Sequence, residues 1–259
     1  MVRGPDFGNR TAGRARGRSV TGTRQTPRVS VIIPALNEAA GIGDTVATVR
    51  QRLAGAEVIV VDGGSQDATA RAAAAAGARV IASARGRGPQ CHAGATAAVG
   101  DLFFFLHADT VPPTSASTVL ARCFARPEVQ LGTFRLAFDD GNFFLRACAW
   151  LTRFDSVFTR FGDQGIVVRR EFYDELGGFP PWPLFEDVEF LRRARRVTRV
   201  WSFPACVTTS ARGFRQHGPL RQQLFNARLL FRFLAGVSPA RLATEYRREP
   251  SPPRAAGEN

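Results

Sequence analysis

The sequence predicts an α/β fold, a mostly parallel central sheet flanked by helices. Three observations predict it. Continuous apolar runs within VSVIIP, EVIVVD and DLFFFL read as strands buried on both faces rather than strands with one wet side. Stretches of roughly ten residues or more with helical character separate them, the alternation that joins parallel strands through crossover helices. Carboxylates, amides and glycines collect just after the apolar runs, at the carboxyl edge of such a sheet, where open α/β folds bind ligands.

The elements follow in order. Residues 29–34 (VSVIIP) make the first strand, and 41–55 a helix with Asp44 near its start, where an acid complements the helix dipole. Residues 57–64 (EVIVVDGG) make the second strand, and 68–78 an alanine-rich helix stopped by Gly77. A short strand at 79–83, a helix at 88–100 and the strand DLFFFLHAD at 101–109 complete the first half. Beyond Pro127 the regular alternation decays. Residues 131–138 read as strand, 142–158 as an aromatic helix, 165–179 as a strand and a helix ending at Gly177-Gly178, 185–197 as helix and 199–204 as one more strand. Residues 219–234 form an amphipathic helix. Its apolar stripes run through Leu220, Leu224, Phe231 and Leu234 and through Phe225, Leu229 and Phe233, flanking an arginine row at 221, 228 and 232. Such a helix packs under the core or lies on a membrane surface.

Composition bounds the remaining possibilities. With 259 residues, 44% hydrophobic and 22% charged, the chain has material for a sizeable core. All 35 basic residues are arginine, and the formal charge of +13 is unevenly spread. Residues 1–28 hold seven Arg against one Asp, and residues 192–232 hold ten Arg and no acid. Both patches suit phosphates, anionic lipid or nucleic acid. The organisation expected is a disordered Arg-rich arm over 1–28, one domain over 29–218, an amphipathic helical segment over 219–248 and a disordered tail over 249–259. Cysteines 91, 123, 148 and 206 form no CxxC pair, against a structural zinc site or a disulfide framework, and a reducing compartment is the simpler reading. No secretory apolar segment and no run of about 18 apolar residues is seen, which points to a cytoplasmic protein.

The loops at the expected sheet edge are Pro34-Ala35-Leu36-Asn37-Glu38, Asp62-Gly63-Gly64-Ser65-Gln66-Asp67, Ser83 to Gly88 with Arg85 and Arg87, and His107-Ala108-Asp109-Thr110. Carboxylates, an amide, glycines and two arginines together are what a nucleotide and its metal require. Each loop also has a plainer reading. D-G-G-S makes a tight turn, and R-G-R a solvated basic turn.

VSVIIPALNE, VIVVDGGSQDAT, the aspartate loop after FFFL and FEDVEFLRR, in this order, resemble the family 2 glycosyltransferases of GT-A fold over roughly 29–200. FFFLHADT, GDQGIVVRR and the compact size are similar to a small bacterial subgroup, the rSAM/selenodomain-associated transferases, with carotenoid-acid glucosyltransferases among their relatives. The resemblance implies inverting, metal-dependent transfer of a hexose from a nucleotide-diphosphate sugar, UDP-sugar first, to an unidentified acceptor for which a lipid or carotenoid-like molecule is the candidate. The basic amphipathic helix at 219–234, taken with such an acceptor, suggests a peripheral place on the inner face of the membrane.

Residue by residue, Pro34, Asn37 and Glu38 match the motif bordering base and ribose, and Asp62, Gly63, Gly64 and Ser65 the one that holds the base. Arg85 and Arg87 are candidates for the diphosphate, where an Arg fork and a helix N-terminus both favour anions, with Gln90 next in line. Asp109 is the candidate metal ligand for Mn²⁺ or Mg²⁺. The family's usual D-x-D pair has His107 as its first member here, which tilts the choice toward Mn²⁺ or leaves His107 to orient Asp109. His217 is a candidate third ligand or a surface histidine. Asp187 is assigned as the base that takes the acceptor's proton, with Glu186 supporting it; the alternative is two acids complementing a helix dipole. Asp163 and Gln164 match the acceptor-side loop, with Trp182 and Phe185 an apolar wall or core.

Two rival classes remain. A nucleotidyltransferase shares the core and the metal-binding aspartate but releases pyrophosphate rather than UDP. A nucleic-acid-binding protein fits the charge, yet no aromatic-basic module accompanies it, so no specific nucleic acid is expected. A dinucleotide-binding dehydrogenase would carry GxGxxG where IIPALNE stands.

Overall fold

The computed structural model describes residues 27–248. The arm, apart from Pro27 and Arg28, and the tail lie outside the described residues. Arg28, placed in the arm from the sequence, is tied to the domain: its backbone N–H donates to Asp101 Oδ2 at 3.0 Å.

The first half alternates strand and helix: β1 (Val29–Ala35), α1 (Ile42–Arg52), β2 (Glu57–Asp62), α2 (Thr69–Ala75), β3 (Arg79–Ala82), α3 (Arg87–Ala97) and β4 (Leu102–Phe105). The second half continues with β5 (Thr110–Val111), α4 (Ala116–Phe124), β6 (Leu131–Phe138) and α5 (Phe143–Leu151). A 3₁₀ turn at Gly162–Gln164 precedes β7 (Ile166–Arg169), α6 (Arg170–Glu175), α7 (Glu186–Ala194) and β8 (Trp201–Thr209). Three helices end the described chain: α8 (Arg212–His217), α9 (Pro219–Leu234) and α10 (Pro239–Arg248).

One eight-stranded sheet runs in the order β3-β2-β1-β4-β7-β6-β8-β5. β1 to β4 pair in parallel, as the two-sided apolar runs of β1, β2 and β4 predict. Successive side chains point to opposite faces, and each face has its own core. Val31, Ile33, Val60 and Phe104 pack with Ile42, Val46 and Val49 of α1 on one side. Ile32, Ile59, Phe103 and Phe105 pack with Cys91 of α3, Tyr173 of α6 and Phe190 of α7 on the other. Burying one such side chain contributes about 1.5–3 kcal/mol.

β4 turns the sheet's direction. It is parallel to β1 but antiparallel to β7, and Phe105 lies opposite Ile166. The carboxyl end of β4 and the amino end of β7 therefore share one rim. Gly165, at φ +66°, makes that crossing possible: a Cβ there would stand 2.7 Å from the Phe104 ring.

Several expected boundaries move. β4 ends at Phe105, and His107 to Asp109 form a turn closed by Thr110 N–H on the His107 carbonyl at 3.1 Å. Helix α4 and the two-residue β5 were not foreseen. The aromatic helix stops at Leu151 because Thr152 is drawn inward, its hydroxyl accepting from Leu136 N–H of β6 at 3.2 Å and donating to the Ala149 carbonyl at 2.7 Å. β8 continues past Pro204 because its pairing with β6 shifts register there, and proline is tolerated at such an irregularity. Among the described residues no helix is long and apolar enough to cross a membrane.

Candidate active site

The shared rim of β4 and β7 assembles the site. His107 and Asp109 leave β4, and Asp163 and Gln164 enter β7. Helix α7 brings Glu186 and Asp187. It starts abruptly because Phe185 adopts the left-handed conformation, φ 62°, which is uncommon for a bulky residue. Phe233 of α9 holds it there, stacked at 4.9 Å between ring centroids. Asp187 is fixed from both sides: Gly162 N–H donates to its Oδ2 at 2.6 Å, and Val188 N–H to its Oδ1 at 2.8 Å. A Cβ on Gly162 would stand 3.0 Å from Asp187 Oδ2 and 3.4 Å from His107 Nε2, so a side chain there would crowd the point where these groups converge.

They open into a cavity of about 540 Å³. Arg87, His107, Asp109, Asp163 and Asp187 line its polar end. Leu136, Phe138, Phe161, Phe185, Leu229 and Leu230 are among the side chains of its apolar walls. One face is thus built for charge, the other for hydrocarbon.

The polar end is short of positive charge. Glu186 is 2% exposed, and burial, then Asp187, push its carboxyl up to about 8 although Arg87 opposes the shift. Burial and Asp187 raise Asp163 to about 7, against Arg87. Burial opposes the charge on Arg87, but Glu186 and Asp187 outweigh it and hold the guanidinium firmly protonated. Burial, then Arg87, lowers His107 to about 3, leaving a neutral imidazole. Asp163 Oδ1 and Glu186 Oε2 are buried with no hydrogen-bond partner among the described residues. A cation or a donor group from a ligand would complete them.

The other predicted residues form a second group at the ends of β1 and β2. Asn37, left-handed at φ 55°, donates its N–H to Ser65 Oγ at 2.9 Å and accepts from Gln66 N–H at 2.9 Å. Ser65 in turn donates its N–H at 3.1 Å and its hydroxyl to the Asp62 carboxylate. Pro34 is buried in β1 opposite Val61, and Gly63 N–H donates to the Ala35 carbonyl at 3.0 Å. Gly64, at φ +87°, is exposed at the turn. Arg212 bonds Glu38 at 3.0 Å and also feels Asp109, linking this cluster to the cavity.

Three expectations need correction. Gln90 is buried beneath the turn, its Nε2 donating at 2.8 Å to the carbonyls of both Ala35 and Val61, so its amide N–H groups tie β1 to β2 and are not free for a ligand. Arg85 is exposed and not among the cavity residues; of the pair only Arg87 is. Trp182 packs edge-on against Phe233 at 6.0 Å outside the cavity, whereas Phe185 does line it. His217 ends α8, with its side chain outside the described ones. Among the described residues no three His, Cys, Asp or Glu side chains are grouped to hold a metal. Sequence reasoning missed Arg212, Phe161, Phe214 and Tyr246. Of the cavity residues it missed, only Gln222 and Asn226 left a trace, a polar pair four apart on an apolar helix, bonded at 3.0 Å.

Residues 30–175, from β1 to the end of α6, match the family described as glycosyl transferase family 2. The chain belongs to that family. Its α/β architecture is the GT-A fold of its structural neighbours. Glucosyl-3-phosphoglycerate synthase of Mycolicibacterium smegmatis is 36% identical over 96 residues, 33% of this chain and 32% of that protein. The chain thus spans about a third of that curated relative. A mannosyltransferase from Pyrobaculum calidifontis, solved with GDP-Man and Mn²⁺, superposes with a TM-score of 0.60 at 20% identity, over 85% of this chain and 68% of that one. Glucosyl-3-phosphoglycerate synthase from Mycobacterium tuberculosis, solved with Mn²⁺, UDP-glucose and phosphoglyceric acid, gives 0.52 at 22% identity, over 71% and 70%. In this family 2 chain, Glu186 and Asp187 follow the matched segment; Asp187 lines the cavity, whereas Glu186 is buried beside it and is not among the lining residues.

Proposed function

We propose that this protein is an inverting, metal-dependent transferase that moves a sugar from a nucleotide-diphosphate donor, UDP-sugar first, to an acceptor with a large apolar body. The observation that carries it is the single cavity that joins Asp109 and Asp187 to walls of leucine and phenylalanine. The solved neighbours named above were complexed with sugar nucleotides and Mn²⁺, which supports the donor class. A lipid or carotenoid-like acceptor suits the apolar end better than a small phosphorylated acid does. The reading includes a cytoplasmic enzyme working at the inner face of a membrane.

The residues fit a divalent cation as a partial site. Asp109 supplies an oxygen, His107 is kept in the unprotonated form that ligates metals, and the unpartnered Asp163 Oδ1 offers a further oxygen at the same end. Donor phosphate oxygens would complete the shell, with His217 the proposed third protein ligand. A cation held there supplies neutralisation of the charge that builds on the leaving diphosphate.

The chain's own residues do the rest. Asn37, Glu38 and the Asp62–Ser65 turn border the base and ribose. Arg87 lends positive charge to the diphosphate. As the acceptor oxygen bonds to the anomeric carbon and the diphosphate departs, Asp187 takes the acceptor's proton. Glu186 keeps its own proton at neutral pH, because its carboxyl titrates at about 8, so negative charge concentrates on Asp187. Incubating the protein with UDP-sugars and Mn²⁺ and assaying UDP tests the proposal. Release of UDP that stops on chelation supports it, and release of pyrophosphate instead would show a nucleotidyltransferase.

A further inference from the structure

We propose that α5 and α9 form a bilayer-docking edge that seats the mouth of the cavity on an anionic leaflet, an inference that rests on the cavity being the acceptor site. The apolar stripe of α9 at Leu220, Leu224, Phe231 and Leu234 is exposed, with Leu224 at 63% and Phe231 at 61%. Phe225, Leu229 and Phe233 turn inward instead: Phe233 stacks on Phe185, Phe225 on Tyr246, and Leu229 is buried. Helix α5 packs against α9 and continues the outer surface with Phe143, Trp150 and Leu151, and Phe154 and Phe158 follow it. Phe158 touches Phe231 at 5.6 Å, joining the two elements. This much exposed aromatic surface is unusual on a soluble face.

Charge identifies the occupant. Neither α5 nor α9 contains an acid. The nearby carboxylates are already matched: Asp139 and Asp140 by Arg215, Asp155 by Arg160 and Arg195, Glu245 by Arg232. Exposed Arg146, Arg153, Arg221 and Arg228 make no ion pair among the described residues. At about 100° per residue, Arg221 and Arg228 lie roughly a quarter-turn round α9 from its apolar stripe. There their stems can cover hydrocarbon while the guanidinium groups meet lipid phosphates. A protein partner would need complementary acids and defined pockets; a leaflet needs only this mixture of rings and arginines.

Continuity with the site gives the edge its purpose. Leu151, Phe158 and Phe231 are exposed on the outside and also line the cavity. An apolar acceptor can pass from the leaflet to Asp187 without crossing water.

Flotation of the full chain with vesicles tests this, using phosphatidylcholine alone or with about a third phosphatidylglycerol. Wild type should float with the anionic vesicles and blue-shift its tryptophan emission, and Trp150→Phe should remove the shift. Phe143→Ser with Phe154→Ser, or Leu220→Ser with Leu224→Ser, should each lower the bound fraction about tenfold or more. Arg221→Gln with Arg228→Gln should weaken binding to anionic vesicles only. None of the four apolar side chains lines the cavity, so UDP release from UDP-sugar and Mn²⁺ without vesicles should match wild type in these variants. Three outcomes would overturn the proposal. Wild type ignores the vesicles, the serine variants bind as wild type does, as the arginines of the N-terminal arm alone would produce, or light scattering shows a dimer that the same substitutions abolish. Vesicle binding without any UDP release would instead overturn the transferase reading and leave the docking edge standing.

Discussion

Two sets of carboxylates in this molecule are treated in opposite ways. At the ends of β1 and β2, Asp62 accepts from both the N–H and the hydroxyl of Ser65, and Asp67 accepts from the N–H groups of Ala39 and Thr69 and from the Thr69 hydroxyl. The Thr69 hydroxyl foremost holds the Asp67 carboxyl below its usual range. In and beside the cavity, half-buried Asp163 and buried Glu186 each have an unpartnered oxygen, and both carboxyls are pushed upward. A buried polar atom without a partner costs roughly 1–3 kcal/mol. The first set is finished by folding; the second stays unfinished until a ligand arrives. Under the proposed function, donor recognition is preformed, while the reacting end carries the strain that a cation and an acceptor would relieve.

The sharpest way to break this contrast is at Asp187. Asp187→Asn should lower kcat by about a thousandfold while UDP affinity, measured by calorimetry, stays within a few-fold of wild type. Normal turnover would remove Asp187 as the base. Next, Asp109→Ala should weaken UDP binding in Mn²⁺ by about a hundredfold and leave the weak metal-free binding unchanged. Equal weakening with and without metal would place the aspartate's role elsewhere.

The contrast also has a pH dependence. Glu186 rises from 4.5 to about 8 on folding and Asp163 from 3.8 to about 7. These two carboxyls hold protons that the unfolded chain releases, His107 lacks one that the unfolded chain keeps below 6.5, and the net is a stability that falls as pH rises through roughly 4 to 8. The thermal midpoint of the ligand-free protein should drop across that window. Saturation with Mn²⁺ and UDP should flatten the slope; a midpoint that rises with pH would contradict the unfinished cluster. The smallest effect belongs to the finished set. Ser65→Ala should cost about 1 kcal/mol and raise KM for the donor with kcat unchanged, as melting and initial rates would show.

The β-α-β half was legible because two-sided burial writes itself as uninterrupted apolar runs. VIIP, VIVV and FFFL could hardly belong to anything else. The loops after those runs were legible for the same reason, and Asp109, Asp163 and Asp187 do meet. What stayed hidden depends on contacts distant in sequence. Gln90 looks like a ligand-binding amide until the carbonyls of Ala35 and Val61 are seen to take both its protons. The end of α5 is set by Thr152 reaching β6, and β8 survives Pro204 only because its neighbour shifts register. Most of the cavity's apolar wall comes from α5, α9 and single residues between elements, for which no local pattern exists. The amphipathic stripe of α9 was visible, but not that its inner face would prop Phe185, the residue preceding Glu186 and Asp187.

That last contact turns α9 into a ruler. One side of the helix presses Phe233 on Phe185, next to Glu186 and Asp187, and the other presents Leu224 and Phe231 outward. A helix with its side chains is about 10–12 Å across. Under the proposed docking, that thickness separates the hydrocarbon boundary from the reacting oxygen. Acceptors would then be sorted by reach, with hydroxyls carried about one helix diameter beyond an apolar body glycosylated and those closer in left untouched.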